Sequence, residues 1–178
     1  MATERLRGAC AHRKVRPIRI EGDAAFVPLT RGFEAVIDAA DAPLVESYNW
    51  SALLTKYGHA YAQRTVQIEG RRYAILMHRA VLDAVPGRDV DHIDGDGLNN
   101  RRANLRECTH KQNMANAAVS RRNQLGLKGA YADKTSGRFL ASIEVNQKTV
   151  HLGSYATAEE AAAAYRGAAK LVHGKFAA

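Results

Sequence analysis

The chain has 178 residues, 46% apolar and 25% charged, which excludes a disordered polar chain and suits one ordinary domain or two to three small ones. No apolar run approaches the roughly 18 residues that cross a bilayer, the basic start lacks the apolar core of a secretory signal, and Cys10 and Cys108 form no CxxC pair, so neither a disulfide framework nor a cysteine-rich zinc site organises the fold. A net charge of +8 points to a polyanionic partner, nucleic acid ahead of an anionic membrane.

The charge is unevenly spread: residues 1–16 carry +4, 17–70 carry −3, 71–125 carry +4 and 126–178 carry +3. Residues 1–16 lack periodicity and read as a flexible basic arm. From Pro17 short strand-like runs follow, with Ile18 and Ile20 around Arg19, then Phe26-Val27 and Val36-Ile37. Leu44 to Trp50 suits a helical turn or two. His59 to Ile68 alternates, placing Ala60, Ala62, Val66 and Ile68 on one side and Tyr61, Gln63, Thr65 and Gln67 on the other. Glu69-Gly70 turns the chain into a return strand, Arg71 to Leu76. Residues 17–72 thus read as a small antiparallel β unit with little chemistry in it.

Met77 to Val85 suits one or two helical turns closed by Pro86-Gly87. Asp89 to His92 is a short strand, Asp94-Gly95-Asp96-Gly97 is turn chemistry, and Leu105 to Cys108 is a returning strand. Thr109 with Gln112 fits a capping box and opens a helix through about Arg122. Beyond Asn123-Gln124-Leu125-Gly126, Arg138 to Val145 alternates with Phe139, Ala141, Ile143 and Val145 on one face. A turn at Asn146-Gln147 leads to a strand from Thr149 to Leu152. Thr157 with Glu160 caps a last helix running to about Val172, with Ala161, Tyr165, Ala168 and Val172 as its buried stripe.

The chemistry concentrates in Asp91-His92, with Asn104 twelve residues after the histidine and Asn113 nine after that. Phosphodiester hydrolysis needs a base for water and a Lewis acid for the charge growing on the phosphate. With an ordinary pKa of about 6.5, His92 offers a neutral fraction as base near pH 7. Asp91 and Asn113 offer oxygen ligands suited to a hard divalent ion such as Mg²⁺ or Mn²⁺. Arg101, Arg102, Arg106, Arg121 and Arg122 are candidate phosphate contacts. The plainer reading of each is a hydrogen-bonding loop histidine and Asn-rich turns. An EF-hand is excluded, since counting from Asp91 or Asp94 puts Ile93 or Leu98 at required ligand positions and no Glu at the twelfth.

The stretch from Met77-His78-Arg79 through Val90-Asp91-His92-Ile93-Asp94-Gly95-Asp96-Gly97-Leu98-Asn99-Asn100-Arg101-Arg102-Ala103-Asn104-Leu105-Arg106 to Gln112-Asn113 resembles the HNH endonucleases, and within them the phage and homing-type branch. The resemblance implies a ββα-metal fold in which His92 is general base, Asp91 and Asn113 are metal ligands, and Asn104 pins the loop that orients His92. Asn116 is the rival ligand to Asn113, and His78 and His110 are possible auxiliary groups. Asn99 stands where the family often has Asp.

The last fifty or so residues resemble the AP2 domain, through Lys128-Gly129, Gly137-Arg138-Phe139, Ala141, Ile143, His151-Leu152-Gly153-Ser154-Tyr155, Ala161-Ala162, Ala164-Tyr165 and His173-Gly174. That resemblance implies a three-stranded sheet reading the major groove with a helix behind it. The implied DNA-facing positions are Lys128, Tyr131, Asp133, Arg138, Ser142, Glu144, Thr149 and His151, with Lys134 and Lys148 as added phosphate contacts. Arginines expected in that family are Tyr131, Asp133, Glu144 and Thr149 here, which implies weaker binding or a different sequence preference.

The expected protein is α+β and modular: a basic arm (1–16), a β-rich unit (17–72), an HNH nuclease module (73–123) and an AP2-like DNA-binding domain (124–178). Its expected function is metal-dependent cleavage of double-stranded DNA, as a monomer or weak dimer, in the cytoplasm of a bacterial or phage-infected cell, with no membrane partner. The alternative is a DNA-binding regulator that keeps the nuclease module as a silent scaffold. An RNA-directed protein is disfavoured, because duplex RNA has a deep, narrow major groove.

Overall fold

Short apolar runs punctuated by glycine turns build several small antiparallel sheets here. The computed structural model describes residues 14–117, 119, 123–146 and 148–177. Its mixed α+β architecture divides into two compact units, 1–108 and 109–178. That division falls inside the stretch 73–123 that the sequence groups as one module.

In the first unit, β1 (Arg19–Glu21), β2 (Ala24–Pro28) and β3 (Glu34–Asp38) form a sheet in the order β1-β2-β3. Alternation buries Ala25 and Val27 of β2 and Ala35 and Ile37 of β3, whereas β1 is exposed throughout. The helical turn expected over Leu44 to Trp50 lies earlier, as α1 (Ala42–Val45). A strand absent from the sequence expectation, β4 (Ser51–Leu54), then joins β5 (Ala60–Ile68) and β6 (Arg71–Leu76) in the order β4-β5-β6. Glu69 and Gly70 both take positive φ, 51° and 79°, the backbone that a two-residue hairpin requires. Of the four residues expected inward on β5, only Ala62 and Val66 are buried. Ile68 is exposed because the hairpin runs past the core. α2 (Met77–Leu82) is closed by Asp83 in the left-handed region. Trp50, Ile37, Met77, Val45 and Val81 fill one core, which also takes in Val90 and Leu105 of the next strand pair. That pair is β7 (Asp89–His92) with β8 (Leu105–Cys108), in the register Asp91↔Arg106 and His92↔Leu105.

In the second unit, Thr109 and Gln112 form the expected capping box and open α3 (His110–Asn116). The helix does not continue to Arg122: Ala117 turns extended (ψ 143°), and the Lys128 ammonium donates to the carbonyls of Ala115 and Ala117, each at 2.6 Å. A further helical turn would need the Ala115 carbonyl for its own ladder. β9 (Ala130–Ala132), β10 (Phe139–Val145) and β11 (Lys148–Tyr155) follow in the order β11-β10-β9, and α4 (Ala158–His173) packs on all three. Thr157 and Glu160 cap α4 as expected. Its buried stripe is Ala158, Ala161, Ala162, Tyr165 and Ala169, while Ala168 is half-buried and Val172 is exposed. Gly129 (φ 73°) is required by packing, because a Cβ there would lie 1.9 Å from the Tyr165 ring.

Candidate active site and nucleic-acid interface

β7 delivers Asp91 and His92 as consecutive buried residues of the first unit. The loop from Ile93 to Asn104 is stitched by its own side chains. The Asn104 amide donates to Asp94 Oδ1 (2.8 Å) and to the Asn99 carbonyl (2.8 Å), and its Oδ1 accepts from the Asp94 backbone (3.1 Å). Asp94 also accepts from Asn99 (2.7 Å) and from the Asp96 backbone (2.8 Å). Asn104 therefore sits within the loop network, as a pin would.

The group that touches His92 is a different asparagine. Asn100 is fully buried; its backbone N–H donates to the Val36 carbonyl (2.7 Å), and the Val36 N–H donates to the Leu98 carbonyl (2.9 Å). The loop thus adds a short parallel bridge to β3. Asn100 Nδ2 donates to the Leu98 carbonyl (2.9 Å), which fixes the amide orientation and turns Oδ1 toward His92 Nε2 at 3.3 Å. An amide oxygen only accepts, so the contact favours the His92 tautomer protonated on Nε2, with Nδ1 as the ring's acceptor nitrogen.

Burial pushes the His92 imidazole below its ordinary value, against the opposing pull of the Asn100 hydrogen bond and the nearby carboxylates of Asp94, Asp91 and Asp96. His78, on α2, lies edge-on to His92 with ring centroids 4.9 Å apart, and Tyr61 of β5 is 6.0 Å from His92. Burial and the charges of His92 and Arg79 push His78 down to about 3, and its buried Nδ1 has no hydrogen-bond partner among the described residues. Gly97 makes the approach of the loop to β5 possible: a Cβ there would lie 2.4 Å from the Ala60 carbonyl and 2.6 Å from the Tyr61 ring.

Three arginines proposed for phosphate are instead held by carboxylates of the first unit. Arg106, directly across the strand pair from Asp91, gives Asp91 Oδ2 two bonds, Nε at 2.8 Å and Nη2 at 2.6 Å, with both side chains largely buried. Arg102 grips buried Asp41 through Nε and Nη2 (2.8–3.1 Å), and its backbone N–H donates to Asp38. Arg101 pairs with Asp38 and Asp23. The Arg101 and Arg102 guanidinium groups tie the loop to Asp23, Asp38 and Asp41, in and beside the β1–β3 sheet, and that of Arg106 ties β8 to β7. Arg121 and Arg122 lie outside the described residues.

Asn113 sits half-buried on α3 of the second unit, with Asn116 one turn on and His110 exposed at the helix start. In the second unit the outward face of the β9–β11 sheet carries Tyr131, Ser142, Glu144, Thr149 and His151. A bulge between Ala141 and Ser142 sets Ser142 opposite His151. Lys134 and Lys148 are exposed, but Arg138 donates to the Ser154 side chain and carbonyl (2.9 and 3.0 Å), and Lys128 is spent on the end of α3. Asn100, Tyr61, Asp38 and Asp41 are the site's additions beyond sequence reasoning. The Asn99-Asn100 pair was visible as turn composition, yet which amide turns inward depends on β3.

Among the described residues no three His, Cys, Asp or Glu side chains cluster as a metal site. A cation at Asp91 would meet an oxygen donor set of the hard type, and would have to share the carboxylate with Arg106. No helix of the described residues is long and apolar enough to cross a membrane.

Residues 83–115 match the model of an HNH endonuclease family. The chain is 29% identical over 160 residues to a protein of Acanthamoeba polyphaga mimivirus named "Uncharacterized HNH endonuclease L560", covering 90% of this chain and 76% of that protein. It is 34% identical over 91 residues to "Protein 3.8" of Escherichia phage T7, covering 51% of this chain and 74% of that protein. No solved structure matches the chain.

Proposed function

We propose, from the match of residues 83–115 to an HNH endonuclease family and the likeness to a mimivirus protein named as an HNH endonuclease, that the chain is a metal-dependent endonuclease of the phage and homing type that hydrolyses double-stranded DNA. The observation that carries this reading is His92: a buried imidazole kept neutral near pH 7 by its surroundings and held by Asn100 on a self-stitched loop. A neutral, oriented imidazole is what a base for water requires. His92 would take one proton as the water oxygen bonds to phosphorus and the P–O3′ bond breaks, and O3′ would take a proton from solvent, leaving a 5′-phosphate and a 3′-hydroxyl. Asp91 is the ligand this site offers a divalent ion, Mg²⁺ or Mn²⁺, and Asn113 is the second ligand that the resemblance implies. When bound, such an ion supplies Lewis-acid neutralisation of the phosphate. Asn104 keeps the loop closed and Asn100 keeps the ring turned.

The C-terminal sheet is the AP2-like targeting surface in this reading, with Tyr131, Ser142, His151, Lys134 and Lys148 as its DNA-facing groups. Joint replacement of Tyr131, Lys134 and Lys148 by Ala would then weaken duplex binding about tenfold while leaving the cleavage step at saturating DNA within about threefold. Unchanged affinity would remove that surface from the account.

The Asp91–Arg106 ion pair favours a second reading, in which the module is a silent scaffold of a DNA-binding regulator. Incubation of the protein with supercoiled plasmid in Mg²⁺ or Mn²⁺, beside His92→Ala and an EDTA control, separates the two. Nicked or linear product from wild type alone supports the nuclease. DNA retarded on a gel but never cut, over several plasmids, supports the scaffold.

A further inference from the structure

The sequence window 17–70 carries −3, yet the fold sorts that charge into two sheets of opposite sign. Residues 17–50 carry −4, and several of their acids, Asp23, Asp38 and Asp41, pair with Arg101 and Arg102. Residues 51–76, the β4–β6 sheet, carry +3. Their basic groups Lys56, Arg71 and Arg72 are exposed and make no ion pair among the described residues, in contrast to the three arginines of the 93–104 loop and β8. Two of the sheet's tyrosines, Tyr57 and Tyr73, are also about half exposed.

The register shows where this sheet leads. On β5, Tyr61, Gln63, Thr65 and Gln67 share one face; their partners on β6 bring Leu76, Ala74 and Arg72 to it, and those on β4 bring Leu53 and Ser51. Tyr61 begins that face 6.0 Å from His92, and Thr65, Gln67 and Arg72 are exposed along it. The six steps of strand from Tyr61 to Gln67 span about 20 Å, the length of roughly six base pairs. Neutral side chains that both donate and accept hydrogen bonds occupy the middle, with Lys56 in the loop before β5 and Arg72 at the far end, whereas Arg71 pairs with Ile68 on the opposite face. A protein core has no use for such a face, and an acidic peptide would not need its neutral hydrogen-bonding centre. A two-stranded ribbon with this pattern fits the major groove of duplex DNA.

We infer that the exposed face of the β4–β6 sheet is a second DNA-contacting surface, which lies along the duplex on one side of the scissile phosphate. Gln63, Thr65 and Gln67 meet base edges there, while Lys56 and Arg72 meet phosphates. This rests on the reading of the chain as a DNA endonuclease and adds a specificity surface adjoining His92.

The test is binding without chemistry, on the full chain in Ca²⁺ with a randomised duplex library, at several salt concentrations. Each phosphate contact contributes about 0.9 to the slope of log affinity against log salt. The double variant Lys56→Ala/Arg72→Ala should lower the magnitude of that slope by about 2 and weaken binding about tenfold, with its melting temperature unchanged within about 2 °C. The variant Gln63→Ala/Thr65→Ala/Gln67→Ala should keep the slope and change the sequences recovered from the library. Unchanged slope and affinity in the first variant would overturn the proposal, as would a face that retains single-stranded RNA and not duplex DNA. Absence of cleavage in Mg²⁺, with these binding effects intact, would overturn the nuclease reading and leave the surface standing.

Discussion

The β1–β3 and β4–β6 sheets of the first unit share a three-stranded antiparallel design, and they treat arginine in opposite ways. The first supplies the acids that hold Arg101 and Arg102, and through the Val36 bridge it holds Asn100 and hence His92. The second buries only part of one face and leaves Lys56, Arg71 and Arg72 without an ion pair among the described residues. A basic residue beside a catalytic motif is thus not by that fact a phosphate contact. What decides is whether the fold brings a carboxylate to it, and a pair desolvated inside the protein leaves less charge for a ligand.

Four substitutions sharpen or break this comparison. The largest effect belongs to Arg106→Ala, which strands the buried Asp91 carboxylate and should cost about 3–5 kcal/mol in a denaturant titration. A cost below about 1 kcal/mol would mean that the pair is not a structural tie. Gly97→Ala, which drives a Cβ into the Ala60 carbonyl and Tyr61, should cost about 1–3 kcal/mol and slow cleavage; full stability and activity would show that the loop does not sit against β5 as described. Arg102→Ala, leaving Asp41 buried beside a half-exposed gap, should lower the melting temperature by a few degrees. The smallest effect is expected for Arg71→Ala/Arg72→Ala, within about 0.5 kcal/mol of wild type, because those side chains stand in water. A loss as large as that of Arg102→Ala would erase the distinction between the sheets.

A pH prediction concerns the ring behind His92. His78 is neutral when folded, with its pKa lowered to about 3, and titrates near 6.5 when unfolded. The unfolded chain therefore takes up the extra proton below pH 6.5, so the stability this group contributes is full above that pH and is lost as pH falls toward 3. His78→Phe should flatten the decline of melting temperature between pH 6.5 and 5. An unchanged decline would assign the acid sensitivity elsewhere.

Much of this was legible in the sequence because it is local. The hairpin at Glu69-Gly70, the strands Asp89–His92 and Leu105–Cys108, and both capping boxes follow from neighbouring residues. The Asp91-His92 motif was equally plain. What escaped depends on partners far away in the chain. Arg102 meets Asp41 across 61 residues and Arg101 meets Asp38 across 63, so no spacing within the motif reveals them. Asn100 escaped for the same reason, since Asn99 and Asn100 look alike until β3 takes up one backbone and turns one amide inward. The early end of α3 escaped because its carbonyls are taken by Lys128, beyond any helix signal.

The central claim is that His92 is a buried, oriented, neutral base. The most direct measurement is the pH dependence of single-turnover DNA cleavage by wild type and His92→Ala, with Asn100→Ala alongside. The account predicts a wild-type rate that holds from about pH 8 down to 6.5 and falls only below it, because burial lowers the His92 pKa. It predicts a loss of about 10²–10⁴-fold for His92→Ala, and a smaller loss for Asn100→Ala at unchanged DNA affinity. A wild-type rate that already declines well above pH 6.5 on acidification, or a His92→Ala rate equal to wild type, would contradict it.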